Sequence, residues 1–123
     1  MRKILIVDDS PTIRRMVAAS LQTIDQVLFE QASNGLEAIE ILARQHLSLM
    51  ILDLNMPDMH GLEVLQFVRA HEQYRQLPII VLTTKYDAET RKAALDGGAS
   101  RYMTKPFDPA VLREHALSLL DLQ

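Results

Sequence analysis

Cysteine is absent from this chain of 123 residues, and long apolar runs are absent too. Without cysteine there is no disulfide, no redox-active dithiol and no thiolate zinc site, so nothing indicates an oxidising compartment. No stretch reaches the roughly 18 apolar residues that a membrane helix needs. The apolar run that opens the chain stops at Asp8 and Asp9, too early for a secretory signal peptide. We therefore expect a cytoplasmic protein without a membrane segment.

Basic residues are too few for a nucleic-acid surface. Lysine and arginine number 13 against 16 aspartates and glutamates, giving a formal net charge of -3, and no basic stripe is interleaved with aromatic residues. The four histidines have no metal-ligand spacing. The apolar fraction of 48% and charged fraction of 24% are typical of a globular protein, and the length predicts one domain over residues 1–123.

Short apolar runs alternate with amphipathic stretches along the chain. Each run predicts a strand, and each is followed by a polar turn and a stretch of helical periodicity. The predicted strands are Ile4–Val7, Val27–Glu30, Leu47–Leu52, Ile79–Leu82 and Arg101–Met103. Five strands joined by helices predict parallel pairing, right-handed crossovers and helices on both faces of one sheet, which is a doubly wound α/β fold.

Helix starts are marked by side chains that can satisfy free backbone amides. These signals are Ser10 with Pro11, Asn34 with Glu37, Asp87, and Asp108 with Pro109. The buried face predicted for the first helix comprises Ile13, Met16, Val17, Leu21 and Ile24. The fourth helix should end at Gly97 or Gly98 and should be the loosest, because its apolar residues are mostly alanines.

Polar residues follow four of the five predicted strands. In doubly wound sheets, ligands bind outside the carboxyl ends of the strands, so these residues should share one edge. They are Asp8 and Asp9 after the first strand, Asp53 after the third, Thr83 and Thr84 after the fourth, and Thr104 and Lys105 after the fifth. Each is an ordinary turn or cap residue by itself, but their convergence indicates a functional site.

The gathered carboxylates require a counter-charge. Carboxylates about 5 Å apart repel by roughly 3 kcal/mol per pair at an effective dielectric near 20, and one would take up a proton if nothing intervened. Magnesium suits such a site because it binds few carboxylates, keeps several waters and takes substrate phosphate as a further ligand. A carboxylate beside Mg²⁺, the Lys105 ammonium and a hydroxyl is the set that phosphoryl transfer needs.

Four motifs occur in order along the chain: Val7-Asp8-Asp9-Ser10, Asp53 with Pro57 and Gly61, Thr83, and Lys105-Pro106-Phe107. In this order and at these spacings the chain resembles the receiver domain of two-component response regulators, and the chemotaxis-type receivers most. The resemblance covers essentially all of the chain. It implies a flavodoxin-like sheet of five parallel strands in the order 2-1-3-4-5.

The resemblance also implies a role for each motif. Asp53 would accept a phosphoryl group from a phosphohistidine on a sensor histidine kinase or phosphotransfer domain. Magnesium, or manganese in its place, would be held by Asp8, Asp9, Asp53 and the backbone carbonyl of Asn55. Lys105, Thr83 and the backbone amides of Asn55 and Thr84 would hold the phosphoryl group. The peptide bond before Pro106 would be cis.

Thr83 and Tyr102 would form the switch that the resemblance implies. Their movement would reshape the face made by the fourth helix, fifth strand and fifth helix, which would contact a downstream protein or output domain. Phosphorylation-dependent dimerisation is left open. Such a receiver is not a classical enzyme, although it catalyses its own phosphorylation and dephosphorylation. Thr84 stands where a small residue is usual, so we hypothesise that Asn55, Thr84 and Lys85 set the lifetime of the phosphorylated state.

Two alternative functions share parts of this pattern. A haloacid-dehalogenase-like phosphatase also uses an aspartate nucleophile with Mg²⁺, but that nucleophile follows the first strand, with a second acid two residues on. Here the candidate follows the third strand, and residue 55 is asparagine. A flavodoxin-like FMN carrier would share the fold, but Asp8 and Asp9 would repel its phosphate.

Overall fold

Strands and helices alternate strictly in the computed structural model, which describes residues 1–85 and 87–121. The strands are β1 Arg2–Val7, β2 Val27–Ala32, β3 Leu49–Leu52, β4 Ile79–Thr83 and β5 Arg101–Thr104. The helices are α1 Pro11–Leu21, α2 Gly35–Arg44, α3 Gly61–Ala70, α4 Ala88–Asp96 and α5 Pro109–Asp121. Within the described residues, none of the helices has the length and apolar character that a membrane crossing requires.

The five strands form one parallel sheet in the order β2-β1-β3-β4-β5. This confirms the predicted fold class and strand order. The chain runs outward from β1 to β2 and then returns to β3, so the order reverses between β1 and β3. Val7 pairs with Leu52 at the carboxyl ends of these two strands. The residues that follow them, Asp8 and Asp53, are therefore neighbours at the reversal point, where ligands of such sheets bind.

Two apolar cores lie on opposite faces of the sheet. Alternate residues of the central strands point to opposite faces, so Leu5 and Leu52 pack with α2, α3 and α4, whereas Ile6 and Ile51 pack with α1 and α5. Every residue of β3 and β4 is buried. Two covered faces explain why these strands are continuous apolar runs, and the packing holds their carboxyl ends in a fixed arrangement.

Strand ends differ from the sequence prediction by one or two residues. The β1 and β2 strands pair from Arg2 with Val27 through Val7 with Ala32, so both extend beyond their apolar runs. Backbone pairing continues past these runs because the hydrogen bonds use peptide groups and not side chains. The β3 strand begins at Leu49 instead of Leu47, although Leu47 itself is buried.

The prediction that Met16 lies on the buried face of α1 is wrong. Its side chain is 48% exposed, whereas Val17 and Leu21 are fully buried. Successive residues of a helix are about 100° apart, so Met16 sits at the edge of the face centred on Val17. Ile24 is buried as predicted, but it lies beyond the end of the helix.

The α4 helix makes the smallest contribution to the core. Only Ala94 is buried on it, whereas each other helix buries at least two residues. It begins after Asp87, whose carboxylate accepts a hydrogen bond from the Thr90 amide at 2.9 Å, and Gly97 caps its other end. The sequence predicted these limits and the weak packing.

Candidate functional site

Three carboxylates meet at the carboxyl edge of the sheet. One ligand atom from each of Asp8, Asp9 and Asp53 lies within 4.8 Å of the others. Asp8 and Asp53 are buried, whereas Asp9 is exposed. The sheet fixes this proximity because the Asp53 amide donates to the Val7 carbonyl at 3.0 Å, which continues the pairing of β3 with β1.

Lys105 brings the only ammonium group that contacts this cluster in the described part of the chain. Its Nζ atom lies 2.6 Å from Asp8 Oδ2 and 3.5 Å from Asp53 Oδ2, and its side chain is 11% exposed. The Lys105 amide donates to the Thr83 carbonyl at 2.9 Å, which attaches the end of β5 to the end of β4. The peptide bond between Lys105 and Pro106 is cis.

The charges of the cluster do not balance. Burial raises the pKa of Asp53, the Lys105 ammonium opposes that rise, and the Asp8 carboxylate adds to it. One ammonium beside three carboxylates therefore leaves an excess of negative charge in a site that is partly shielded from solvent. Oxygen ligands and this excess suit a hard divalent cation such as Mg²⁺. The donor set fits that metal.

Two loops meet at the rim of the site. The Asn55 amide donates to Asp53 Oδ1 at 3.4 Å, and the Asn55 side-chain Nδ2 donates to the Thr84 hydroxyl, also at 3.4 Å. An open cavity of about 350 Å³ is lined by Asn55, Thr84, Lys85 and Asp87. Asn55 thus contacts Asp53, and its side chain joins the loop after β3 to the loop after β4.

Thr83 and Tyr102 both contact the backbone of Lys85. Thr83 is fully buried at the end of β4, and its hydroxyl oxygen accepts a hydrogen bond from the Lys85 amide at 3.3 Å. Tyr102 on β5 packs partly buried against the core, and its hydroxyl donates to the Lys85 carbonyl. One residue therefore lies between the two side chains that the sequence predicted as a switch.

Comparison with known proteins gives the family. The response regulator receiver domain family matches residues 4–117 of this chain. The chain is therefore a response regulator receiver. It is 41% identical over 115 residues to a chemotaxis protein CheY homolog of Campylobacter jejuni, a match that covers 91% of this chain and 87% of the relative.

Two further proteins are similar to this receiver. The chemotaxis protein CheY1 of Helicobacter pylori is 39% identical over 113 residues, covering 91% of each chain. The solved structure of the chemotaxis response regulator CheY4 of Vibrio cholerae superposes with a TM-score of 0.87 at 36% identity, covering 97% of this chain and 98% of that one. Receiver domains act with a histidine kinase and a downstream target and generally bind Mg²⁺ at an acidic pocket. Neither the phosphatase nor the FMN-carrier alternative gains support from these matches.

Gly61 of this receiver has a role at the site beyond opening a helix. A Cβ atom at this position would lie 2.4 Å from the Asp53 carbonyl oxygen and 2.6 Å from Leu54 Cα. Both are backbone atoms and cannot move without shifting the end of β3. The sequence marked Gly61 as part of a motif, but only the folded chain shows that the start of α3 touches the backbone of the candidate nucleophile.

The loop after Asp53 is held by two contacts that the sequence did not predict. Asp58 accepts hydrogen bonds from the Gly35 and Leu36 amides, each at 3.3 Å, so this loop caps the start of α2. His60 caps α3, since its Nδ1 atom accepts from the Leu62 amide at 3.1 Å. The sequence signal for this cap is Glu63, three residues after His60, whose side chain accepts from the His60 amide at 3.2 Å and completes a capping box.

Proposed function

We propose that this receiver accepts a phosphoryl group on Asp53 from a phosphohistidine of a sensor kinase or phosphotransfer domain, in a Mg²⁺-dependent reaction. The observation that supports the proposal most is the buried Asp53 carboxylate with the Asp8 and Asp9 carboxylates and the Lys105 ammonium around it. An oxygen nucleophile, a metal-binding acid pair and a fixed cation are the parts that phosphoryl transfer uses.

The transfer exchanges one bond to phosphorus for another. An Asp53 oxygen attacks the phosphorus atom in line, a P–O bond forms, and the P–N bond to the donor imidazole breaks. The electron pair of that bond goes to the imidazole nitrogen, which binds a proton from solvent. Asp53 becomes an acyl phosphate, and a later attack of water on phosphorus releases inorganic phosphate and restores the carboxylate. The receiver itself catalyses both steps.

The residues around Asp53 can hold the transferring oxygens. Lys105 would turn from Asp8, 2.6 Å away, to a phosphoryl oxygen, while the Thr83 hydroxyl and the Asn55 and Thr84 amides donate to the others. Asp8, Asp9, Asp53 and the Asn55 carbonyl would hold the cation. Bound Mg²⁺, or Mn²⁺ in its place, supplies neutralisation of the negative charge on the oxygens that it contacts.

The two contacts with Lys85 suggest how phosphorylation reaches the surface. If the Thr83 side chain moves toward the phosphoryl group far enough to lengthen its hydrogen bond with the Lys85 amide, the Lys85 carbonyl that holds Tyr102 can move as well. Tyr102 lies on β5 between α4 and α5. These helices expose the apolar residues Leu95, Val111 and Leu117, which a downstream protein or a second copy would cover.

We further propose that the kinase is of the chemotaxis type. The basis is the identity of about 40% with proteins named as chemotaxis response regulators, over nine-tenths of this chain. One labelling assay can test both the acceptor residue and the type of kinase, because the phosphoryl donor and the receiver variant can be changed separately.

The test follows covalent labelling by intact mass. Purified protein is incubated with acetyl phosphate with Mg²⁺ or with EDTA, and then with a phosphorylated chemotaxis-type histidine kinase. One phosphoryl group per chain is expected with Mg²⁺ and none with EDTA. Asp53→Asn should lose the label, because its amide cannot form an acyl phosphate. Asp58→Asn is the matched control, since Asp58 lies in the same loop outside the cluster, and it should label like the native protein.

Equal labelling of the native protein and Asp53→Asn would remove Asp53 from its proposed role. Labelling by acetyl phosphate combined with retention of the phosphoryl group on the chemotaxis-type kinase would contradict only the choice of partner.

A further inference from the structure

The Arg14 side chain connects α1 to the loop that carries the acidic pair. Its Nη1 atom donates a hydrogen bond to the backbone carbonyl of Asp8. Its Nε atom donates to the side-chain oxygen of Gln31 on β2 at 2.9 Å. The rigid planar guanidinium is therefore fixed at two points, and one of them is the peptide group that joins Asp8 to Asp9.

The peptide group on the other side of Asp9 is also fixed. The Ser10 amide donates to Asp8 Oδ1 at 2.9 Å, which closes a tight turn around Asp9. Asp8 Oδ2 is held by Lys105 at 2.6 Å. Asp9 thus lies between two restrained peptide groups, so the backbone from which its exposed side chain projects is held in place.

We propose that Arg14 is a positioning residue for the divalent-cation site, acting through the Asp8 carbonyl on the direction of the Asp9 carboxylate. This inference rests on the proposed function, because it assumes that Asp9 is a ligand. Magnesium demands near-ideal octahedral geometry, so a ligand held in the correct direction contributes more than one that must first be ordered. Residues that orient metal ligands without touching the metal typically change affinity 10- to 100-fold.

The charge of Arg14 makes the proposal easy to contradict. A guanidinium close to the acidic cluster repels an incoming cation, so a purely electrostatic role predicts that its removal tightens Mg²⁺ binding. A positioning role predicts that removal weakens binding. The two roles differ in the sign of the effect.

The experiment is a calorimetric titration of folded protein with Mg²⁺ for five proteins: native, Arg14→Gln, Arg14→Lys, Arg15→Gln and Asp53→Asn. We expect a dissociation constant about 10-fold higher for Arg14→Gln. Arg14→Lys keeps the charge but lacks the two-point fork, and it should bind several-fold more weakly than the native protein. Arg15→Gln is the matched control, because Arg15 is exposed and, among the residues that the structure describes, its side chain hydrogen-bonds only to the Thr12 hydroxyl, so the affinity of this variant should stay close to native.

Unfolding by urea in the absence of Mg²⁺ separates positioning from a general loss of structure. The Mg²⁺ affinity should fall in Arg14 variants that remain fully folded. If Arg14→Gln binds Mg²⁺ as tightly as the native protein or more tightly, the inference is overturned while the proposed function stands. If Arg14→Gln does not fold, the same result for Arg14→Lys overturns it. Mg²⁺ binding by native protein that is unaffected by Asp53→Asn would instead contradict the proposed function.

Discussion

The Thr84 hydroxyl and the Asn55 side chain hydrogen-bond at the rim of the site, 3.4 Å apart. Lys85, the next residue, lines the same open cavity. We expect water that attacks an acyl phosphate on Asp53 to approach beside these groups. Their bulk and the Lys85 charge lie where they can hinder that approach, which agrees with the hypothesis that they set the lifetime of the phosphorylated state.

Thr84→Ala and Lys85→Ala are therefore expected to shorten that lifetime. If the lost contact contributes about 1 kcal/mol to the activation free energy of dephosphorylation, the dephosphorylation rate rises roughly fivefold. The measurement is the decay of the phosphorylated mass after removal of acetyl phosphate, with Mg²⁺ held constant.

Lys92→Ala is the control for lost charge, since Lys92 pairs with Asp96 on the exposed face of α4. Its decay rate should equal that of the native protein. Native decay rates in both Thr84→Ala and Lys85→Ala would exclude these side chains as determinants of the lifetime.

The two ends of α4 are held very differently. At the C-terminal end, Arg69 of α3 donates two hydrogen bonds to the Gly98 carbonyl, at 3.0 and 2.8 Å. The Arg69 side chain is itself held by a hydrogen bond to the Arg75 carbonyl in the connection after α3, at 2.9 Å. At the N-terminal end, the Asp87 cap is exposed and follows the loop that contains Lys85. The end nearer the site is the less firmly attached, so α4 is suited to pivot about its C-terminus.

Phosphorylation is expected to change hydrogen exchange in α4 unequally. Amides of residues 88–93 should change their protection more than those of residues 97–100, because the Arg69 contacts hold the second segment in both states. Exchange measured by mass spectrometry with and without acetyl phosphate and Mg²⁺ checks this, with Asp53→Asn as the unresponsive control. A larger change in residues 97–100 would contradict the pivot.

We expect the acidic site to reduce the stability of the whole molecule. Burial raises the pKa of Asp53 in the folded protein above its usual value of 3.8, so ionisation is harder in the folded state than in the unfolded one. Below pH 3.8 the carboxyl is protonated in both states and no stability is lost. As pH rises through the folded-state pKa, the unfolded state loses its proton more readily and folding becomes less favourable.

Asp53→Asn should therefore unfold less readily than the native protein at pH 7. The expected gain is about 1 kcal/mol in the free energy of unfolding, a usual size for relief of an unfavourable charge. The gain should shrink as pH falls toward 4. Urea unfolding at both pH values without divalent cations measures it.

Mg²⁺ should reduce or reverse this difference by stabilising the native protein more than Asp53→Asn, because binding to the folded state alone shifts the unfolding equilibrium. Asp25→Asn, which alters an exposed aspartate far from the site in the connection after α1, should stay within about 0.5 kcal/mol of native at either pH. A less stable Asp53→Asn at pH 7 would show that the site does not carry this electrostatic cost.

The sequence by itself determined the order of the elements and much of the site. Apolar runs flanked by caps such as Ser10 and Asn34 predicted the strands and helix starts, and both side chains accept the expected amide hydrogen bonds. These features depend on residues close together in the chain, because a capping side chain satisfies backbone amides only two or three residues away. Parallel β/α alternation then places the strand ends on one edge, so Asp8 and Asp53 could be predicted to meet.

Only the tertiary structure decided contacts between residues distant in the chain. Lys105 pairs with Asp8 across 97 residues, and no local pattern specifies which carboxylate it approaches more closely. The exposure of Met16, the contact of Gly61 with the Asp53 backbone and the reach of Arg14 to the Asp8 carbonyl depend on how helices pack against the sheet. Packing is settled by the shapes of many side chains together, which is why residue periodicity indicates a face of a helix but does not fix its edge.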